Sequence, residues 1–593
     1  MPGPMRGAAK KPKNSKNAFL ALIRALMPWR KLLILSLSFA ALSTTLSIVG
    51  PSLLGRITTN ATNSLMETGA IDWEPITRIA GMLVVLYVFS AICSYMESFL
   101  LAKVVNRFTK QMRETILAKF SRLPISYFDQ HKFGDVLSYM TNDLETVAGN
   151  LQGSLNEIIV NVVTLLGVLI MMVIISPALS AIVLVSVPFS LFCVGKITRR
   201  AQKYFRKQQN TLGKLNAVIE ESYSGQLVIK TNSHEEESLA EFSDVNDSLF
   251  TAGWKAEFLS RMAFPATALF TNAAYVLICI IGGMEAIAGR ITIGNIQAFI
   301  EYVNDFNRPI TQIAQIGSII QQTLAAAERI FEFLDEPEEE SDVLKPAEIK
   351  RIQGEVEFRE VDFSYDKEKP TIVNFSAKIQ PGQKVALVGP TGAGKTTMVN
   401  LLMRFYDPDK GEILIDDVLT REMRRGDVRK LFGMVLQDTW LFSGTIEENL
   451  KYGRPGATHE EIVRACKRAH IHHFIQSLPK GYKTKIDEDS DNISAGEKQL
   501  LTIARAMIAD APMMILDEAT SNVDTRTEEL IQDAFDKLTK GRTSFVIAHR
   551  LSTIRNADLI LVMKEGAIIE QGSHEELVES GGFYAELYQS QFK

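Results

Sequence analysis

Apolar and polar positions divide the chain into two halves of different character. In the first half, long apolar runs alternate with charged stretches, and in the second, short apolar runs alternate with turns. Because a helix needs about 20 mostly apolar residues to cross a bilayer, the pattern predicts six membrane spans. They cover about residues 32–54, 79–101, 158–175, 178–194, 263–287 and 293–320. A shorter stretch, about residues 19–28, contains Arg24 and predicts an amphipathic helix at the membrane interface.

Basic residues predict the orientation of these spans. Lys and Arg cluster before the first span, after the second and after the fourth, whereas the opposite connections are short and contain few of them. Since basic loops stay on the cytoplasmic side, we expect the N terminus and the second half in the cytoplasm. Helical periodicity continues beyond the second span, which predicts helices that extend far into the cytosol.

Polar side chains in two spans leave alternatives open. Glu301 and Asp305 are four residues apart and therefore share a helix face. They predict either an acidic cavity wall or internal pairing with Arg308, and pairing is favoured because Arg308 lies within one turn of Asp305. Glu97 either lines the cavity entrance or pairs near the interface with Lys103.

Length, charge and cysteine spacing bear on the number of domains, on nucleic acid as a partner and on disulfide bonds. A chain of 593 residues is too long for one domain. A net charge of −5 leaves no basic excess, so nucleic acid is not expected as a partner. The four cysteines have neither paired nor metal-ligand spacing, which predicts buried thiols and no disulfide framework.

The second half of the chain contains a phosphate-binding sequence pattern. Residues 389–396 read Gly-Pro-Thr-Gly-Ala-Gly-Lys-Thr, which fits G-x-x-x-x-G-K-[ST] and follows an apolar stretch at 384–388. Small residues allow successive backbone N–H groups to cradle the β- and γ-phosphates of a nucleotide. Lys395 adds a positive charge, and the hydroxyl of Thr396 can bind Mg²⁺.

Further polar residues follow apolar runs in a fixed order. Four apolar residues lead to Asp517, which we expect near Mg²⁺, and to Glu518, which is suited to act as general base. His549 ends another apolar strand, and Gln437 precedes a helical region. Taken alone, Tyr365 or a strand-end histidine is more often a packing or capping residue than a ligand.

This ordered set, together with Ile493-Ser-Ala-Gly-Glu497, resembles the nucleotide-binding domain of ATP-binding cassette (ABC) proteins. The resemblance implies ATP and Mg²⁺ as cofactors, Glu518 as catalytic base and His549 as the switch that senses the γ-phosphate. The residues implied to contact ATP are Tyr365, Gly389, Thr391, Gly392, Ala393, Gly394, Lys395, Thr396, Thr397, Gln437, Ser494, Gly496 and Asp524. Those implied to hold Mg²⁺ are Thr396, Gln437 and, through water, Asp517.

The membrane half resembles that of ABC exporters. The implied fold class is a multidomain membrane protein, in which an all-α, six-helix transmembrane domain with long intracellular extensions precedes an α/β P-loop nucleotide-binding domain. We expect the membrane domain at residues 1–335, a linker at 336–353 and the nucleotide-binding domain at 354–593. In this family, short helices at the tips of the intracellular loops, here near residues 124–143 and 220–230, dock on the cassettes.

One motif departs from the family pattern. The usual signature is Leu-Ser-Gly-Gly-Gln, and this chain has Ile493-Ser494-Ala495-Gly496-Glu497. Ser494 and Gly496 are retained, but Ala495 adds a methyl group and Glu497 a carboxylate. Because each ATP lies between one chain's P-loop and the other chain's signature, a drifted signature favours a heterodimer with a second half-transporter. A homodimer that tolerates the change is the alternative.

The expected function follows from these features. The resemblance implies ATP-driven export of small hydrophobic or amphipathic compounds of multidrug type across the cytoplasmic membrane, by alternating access in the lipid bilayer. The alternatives are a homodimeric lipid flippase and an ATP-gated channel or regulatory ABC protein. Retention of Glu518 argues against a channel or regulator.

Overall fold

The chain folds into two compact units. This computed structural model describes residues 15–340, 342–343, 345–347, 349, 351–436, 439–486, 493–517, 524–547 and 554–592. The first unit comprises the chain up to Leu123 and residues His131–Glu338; the second comprises Pro124–Gln130 and the chain from Glu339 onward. The chain therefore passes from one unit to the other at three points, after Leu123, after Gln130 and after Glu338.

Long helices build the described part of the first unit. In chain order, the helices up to the second unit's sheets are α1 (Ser15–Leu26), α2 (Arg30–Thr68), α3 (Trp73–Phe120), α4 (Ile125–Gln130), α5 (Phe133–Ser138), α6 (Leu144–Ile175), α7 (Pro177–Ser224), α8 (Gln226–Asn232), α9 (Glu235–Arg261), α10 (Ala263–Ile287) and α11 (Ile293–Asp335). A 3-10 turn (Met27–Trp29) joins α1 to α2, and a π-helical turn (Tyr139–Asp143) joins α5 to α6. Of these helices, α4 belongs to the second unit.

Five helical segments are long and apolar enough to cross a membrane. Among the described residues they are Lys16–Thr68, Trp73–Phe120, Phe133–Ile175, Pro177–Ser224 and Glu235–Ile287. Both α3 and α7 have 48 residues, more than twice what a bilayer requires, which confirms the predicted extensions. The predicted sixth span lies in the more polar α11, and its membrane crossing stays a prediction. The segment predicted to lie at the interface is the helix α1, which buries Leu22 and exposes Phe19.

Close packing of α2 on α11 organises the core of the first unit. A Cβ atom on Gly55 would lie 2.3 Å from the carbonyl oxygen of Gly294, so only glycine permits this helix crossing. Nearby, the buried Tyr302 donates a hydrogen bond of 2.7 Å to the carbonyl oxygen of Ile48. These contacts join residues more than 200 positions apart into one packed core.

The polar side chains that the sequence places in the predicted spans differ in their burial and in their contacts. Glu97 is 3% exposed, and its carboxylate accepts a hydrogen bond from Ser98 at 2.9 Å, so its side chain is packed and does not line an open surface. Lys103 instead places its ammonium over the ring of Phe99. Asp305 lies within electrostatic range of both Glu301 and Arg308, which keeps both sequence-based alternatives for that helix face open.

The cysteines are free, as predicted, but not all of them are buried. Cys93 and Cys466 are buried, Cys193 is partly exposed and Cys279 is exposed. The prediction of burial was wrong for Cys279. An apolar run indicates that a helix lies in an apolar environment, and in a membrane span that environment can be lipid as well as protein.

Three sheets form the frame of the second unit. Its strands are β1 (Val356–Phe363), β2 (Ile372–Ile379), β3 (Lys384–Val388), β4 (Lys410–Ile415), β5 (Val418–Leu419), β6 (Phe432–Val435), β7 (Gly444–Thr445), β8 (Lys485–Ile486), β9 (Met513–Asp517), β10 (Thr543–Ile547), β11 (Leu559–Lys564) and β12 (Ala567–Gly572). An antiparallel sheet has the order β2-β1-β4-β5, and β7 pairs with β8. The largest sheet has the order β12-β11-β3-β10-β9-β6 and is parallel except for β12.

The described part of the second unit also contains helices. They are α12 (Lys395–Leu402), α13 (Arg425–Lys430), α14 (Ile446–Lys451), α15 (His459–Arg468), α16 (His472–Ser477), α17 (Ala495–Ala509), α18 (Thr525–Thr539), α19 (His574–Glu579) and α20 (Phe583–Phe592). Of these helices, α13 and α17 pack against β6 of the largest sheet. All five residues of β10 are buried, as are four of the five in β9. Strands covered on both faces read as continuous apolar runs, which is why the sequence revealed them.

Candidate nucleotide-binding site

The loop between β3 and α12 has the geometry of a phosphate cradle. Gly394 has φ +100, and a Cβ atom there would lie 2.7 Å from Cδ1 of Ile372. A Cβ atom on Gly389 would lie 2.3 Å from the carbonyl oxygen of Met563. Only glycine fits both positions, so the backbone here passes close to its neighbours, as a loop that binds phosphate through its backbone requires.

Lys395 is folded back into this loop. Its side chain is 9% exposed, and Nζ donates hydrogen bonds of 2.7 Å to the carbonyl oxygen of Gly389 and 3.1 Å to that of Pro390. Burial lowers the pKa of Lys395, while the charge of Asp517 acts in the opposite direction. The loop therefore holds a partly desolvated ammonium group beside the backbone amides, where a phosphate would be its counter-charge.

The sheet brings Asp517 to the same edge as this loop. Strand β10 lies between β3 and β9, and Ile547 is aligned with both Leu387 and Asp517. Because these strands are parallel, their carboxyl ends open at one edge, where α/β proteins bind ligands. Asp517 interacts electrostatically with Lys395, so the predicted phosphate and metal groups do converge.

Three predicted site residues follow strands of this sheet in the sequence but lie outside the described residues. They are Glu518, one position after β9; His549, two positions after β10; and Gln437, two positions after β6. Their roles stay predictions.

Threonines and an aromatic ring complete the described part of the site. In the first turn of α12, Thr396 is exposed and Thr397 is buried, so the hydroxyl of Thr396 is open to a metal ion. Thr391 and Gly392 are exposed at the loop tip, and Ala393 is buried beneath it. An exposed hydroxyl, a carboxylate and a backbone cradle are the donor set that a Mg²⁺–nucleotide requires.

Tyr365 is held beside α12. Its hydroxyl accepts a hydrogen bond of 3.0 Å from Nδ2 of Asn400, and its ring meets those of Phe363 and Tyr406 edge to face at 4.9 Å and 5.0 Å. The ring is 44% exposed, so it retains surface on which a nucleobase can stack.

Comparison with known proteins decides the family. The family model of the ABC transporter transmembrane region matches residues 33–310, and the ABC transporter model matches residues 372–521. The chain belongs to the ABC transporter family. As a fused ABC protein, it is a multi-pass membrane protein whose helical region is followed by an ATPase domain.

Relatives of this ABC transporter carry different substrate names. It is 41% identical, over 99% of both chains, to the "Fatty acid ABC transporter ATP-binding/permease protein" of Mycobacterium tuberculosis. It is 36% identical, over 98% of both chains, to the "ATP-dependent lipid A-core flippase" of Chromobacterium violaceum. Over 88% of this chain and 78% of the relative, it is 37% identical to the "Probable multidrug resistance ABC transporter ATP-binding/permease protein YheH" of Bacillus subtilis.

The altered signature of this ABC transporter begins helix α17. Ser494 is exposed, and its hydroxyl accepts a hydrogen bond from the backbone N–H of Glu497 at 3.3 Å. The carboxylate of Glu497 in turn accepts from the backbone N–H and from the hydroxyl of Ser494, each at 2.8 Å. This is a capping box, and the spacing S-x-x-E would have revealed it from sequence. In the described part of the chain, no hydrogen bond joins Ser494 or Gly496 to the phosphate loop.

Asp524 also caps a helix. Its carboxylate accepts a hydrogen bond of 3.0 Å from the backbone N–H of Thr527, in the first turn of α18. The hydrogen bonds from Thr527 lower the pKa of Asp524. Its predicted contact with nucleotide stays a prediction.

No local sequence pattern predicts the contact of α4 with the aromatic group formed by Phe363, Tyr365 and Tyr406. Asp129 in α4 accepts a hydrogen bond from the hydroxyl of Tyr406, and Tyr406 packs against Tyr365. Burial, followed by the nearby Asp129 carboxylate, raises the pKa of Tyr406 above its usual value. The short helix from the first intracellular loop is thus tied to the aromatic group beside the phosphate loop.

Proposed function

We propose that this ABC transporter exports hydrophobic or amphipathic compounds across the cytoplasmic membrane, driven by ATP hydrolysis. The fusion of a long-helix membrane region to a cassette whose phosphate loop buries Lys395 carries this proposal. In this scheme ATP closes two cassettes and its hydrolysis reopens them, so that the membrane helices alternate between two accessible states. The N terminus and both cassettes lie in the cytoplasm, as the basic residues beside the spans indicate.

In the proposed site, this chain's residues divide the work of binding and hydrolysis. Tyr365 stacks on adenine, and the 389–397 loop with Lys395 holds the phosphates. Thr396, Gln437 and, through water, Asp517 would hold Mg²⁺, which would supply positive charge to neutralise the phosphates. Glu518 orients and deprotonates the attacking water, and His549 contacts the γ-phosphate.

Multidrug-type substrates are the first candidate class, and lipids are the second. The name of the Bacillus subtilis relative supports the first class. The names of the fatty acid transporter and the lipid A-core flippase favour the second. Both classes join an apolar part to a polar end, so one amphiphile-binding path could serve either.

The altered signature supports a heterodimer. Ala495 adds a methyl group where close backbone approach is expected, and the Glu497 carboxylate brings a negative charge toward a partner-bound γ-phosphate. In this assembly the chain's own phosphate loop and Glu518 work with an intact partner signature. The homodimer is the competing assembly.

Transport by the reconstituted protein tests the proposal. The chain is purified with and without the product of a neighbouring half-transporter gene and reconstituted into vesicles with outward-facing cassettes. ATP-dependent uptake is then measured with ethidium and with a nitrobenzoxadiazole-labelled fatty acid. Uptake of ethidium supports the multidrug class, and uptake of only the fatty acid supports the lipid class. ATP hydrolysis without uptake of either probe contradicts export of amphiphiles, and full activity of the single chain contradicts the heterodimer.

A further inference from the structure

The first-unit ends of all three chain passages lie, in sequence, within a few residues of one packed cluster of the first unit. We call it the crossing cluster, and it consists of Lys119, Phe120, Tyr139, Asp143, Arg329 and Phe333. The chain leaves the first unit after Leu123 and after Glu338, and it returns at His131.

An ion pair joins the π-helical turn to the end of α11. Arg329 donates from Nε to Oδ2 of Asp143 at 2.9 Å and from Nη2 to Oδ1 at 2.5 Å. The side chain of Asp143 is 7% exposed and that of Arg329 is 34% exposed, so a buried carboxylate is held by a two-pronged contact from a partly exposed guanidinium 186 positions away. Asp143 is also the last residue of the π-helical turn, a feature that is frequent at functional sites.

Aromatic packing brings α3 into the same cluster. The ring of Phe333, which is 2% exposed, lies 5.1 Å from the ring of Phe120 and 5.1 Å from that of Tyr139. One side chain of α11 therefore contacts the segments on both sides of the excursion that carries α4 into the second unit.

Lys119 connects the end of α3 to the third passage. Its ammonium donates to the carbonyl oxygen of Glu336 at 2.6 Å and pairs with the carboxylate of Glu338 at 3.2 Å. The Lys119 side chain is 8% exposed, and Glu338 is the last residue of the first unit.

We propose that the crossing cluster makes the three passages move as one body, and that Asp143 and Arg329 are positioning residues which convert cassette movement into movement of the membrane helices. This inference rests on the proposed ATP-driven function. Without the ion pair of Asp143 and Arg329, helix α11 can shift independently of helices α3 and α6. ATP is then hydrolysed without a matching movement of the membrane helices.

Variants at the ion pair test the proposal in the full chain with its partner. Arg329→Gln leaves a buried carboxylate without its partner, which is strongly destabilising. The double variant Asp143→Leu/Arg329→Met removes both charges and fills similar volume, so it preserves the fold. Arg329→Lys retains the charge but loses the two-pronged geometry. The matched control is Arg113→Gln, which breaks the exposed pair with Glu145 between α3 and α6.

A tryptophan at the far end of α3 reports movement without a known substrate. Trp73 begins this 48-residue helix, roughly 70 Å from Phe120 at 1.5 Å per residue. In a background where Trp29, Trp254 and Trp440 are replaced by Phe, acrylamide quenching of Trp73 is compared with and without ATP and vanadate. In parallel, the amount of probe transported per ATP hydrolysed is measured with ethidium or the labelled fatty acid, whichever wild type transports faster.

We expect the double variant to hydrolyse ATP at a near wild-type rate but to lose the ATP-dependent Trp73 response and about fivefold of its transport per ATP. Arg329→Lys should lie between the double variant and wild type, and Arg113→Gln should match wild type. An unchanged Trp73 response in the double variant would overturn the proposal, as would hydrolysis and transport that fall in equal proportion. If wild type transports neither probe, the proposed function fails, but the Trp73 response still tests the cluster.

Discussion

Lys395 shows how one residue's chemistry depends on both pattern and fold. The local pattern predicts its positive charge beside a phosphate. Only the folded loop shows that its ammonium is held by the carbonyl oxygens of Gly389 and Pro390. These hydrogen bonds offset the desolvation of the buried ammonium group when no anion is bound.

Glu518→Gln tests the catalytic assignment at the residue scale. The amide keeps size and hydrogen bonding but cannot accept the water's proton, so we expect turnover to fall about 100-fold or more. ATP binding and closed cassettes should persist, as measured by nucleotide trapping in detergent. The control Lys395→Ala should instead lose binding itself. Near-normal hydrolysis by Glu518→Gln would contradict the assignment.

At the scale of elements, helix capping explains a residue that sequence analysis treated only as a defect. Among the described residues of the cassette, four helices begin with a capping box, and Glu497 belongs to one of them. At the three others, hydrogen bonds from the cap residue lower the pKa of Glu448, Glu461 and Glu576. These caps contribute stability above the unfolded carboxyl pKa, and the contribution is lost as pH falls through the lower folded value.

Restoring the signature separates capping from nucleotide chemistry. Glutamine also completes a capping box, so Ala495→Gly/Glu497→Gln should lose only the stability that glycine costs at the first residue of α17, less than about 1 kcal/mol. In a heterodimer whose partner lacks a catalytic glutamate, ATP hydrolysis should rise by less than about twofold, since the restored site is not the competent one. In a homodimer both nucleotide sites gain the restored signature, so the rate of ATP hydrolysis should change clearly.

Glu497→Ala is the companion variant for this test. It keeps the N-cap Ser494 but loses the reciprocal hydrogen bonds from Ser494 to the carboxylate, so it should cost less than the roughly 1 kcal/mol of a lost N-cap. Glu497→Gln alone isolates the carboxylate, so earlier melting of that single variant would show that the charge itself, rather than the capping geometry, stabilises α17.

At the scale of the whole molecule, the two units have separate cores. Glycine contact between α2 and α11 packs the first, and the largest sheet organises the second. Buried thiols report on each, since Cys93 is 1% exposed in the first unit and Cys466 is 0% exposed in the second. Burial raises the pKa of Cys466 to about 12, so it reacts only when its unit opens.

Gly294→Ala should destabilise the first unit selectively. The new Cβ atom would lie 1.7 Å from the carbonyl oxygen of Gly55, and overpacking of this kind costs about 1–3 kcal/mol. Thiol labelling during heating should show Cys93 reacting at a lower temperature and Cys466 unchanged. The control Gly283→Ala adds a methyl group with nothing within 4 Å. Equal shifts at both thiols would contradict two independent cores.

Local patterns by themselves determined the two-part plan of this protein. Apolar runs predicted the long helices, because membrane spans and buried parallel strands require continuous apolar residues. The phosphate loop was predicted for the same kind of reason, since its chemistry is confined to eight consecutive residues, 389–396. The family resemblance rested on several such local motifs in order.

Only the tertiary structure decided which distant residues meet. Pairing of β10 between β3 and β9 brings Asp517 to the loop of Lys395, and no local pattern specifies strand order. The contact of Asp143 with Arg329 joins residues 186 positions apart. Such contacts arise from packing of whole elements, whose register depends on many weak interactions that a stretch of sequence does not display.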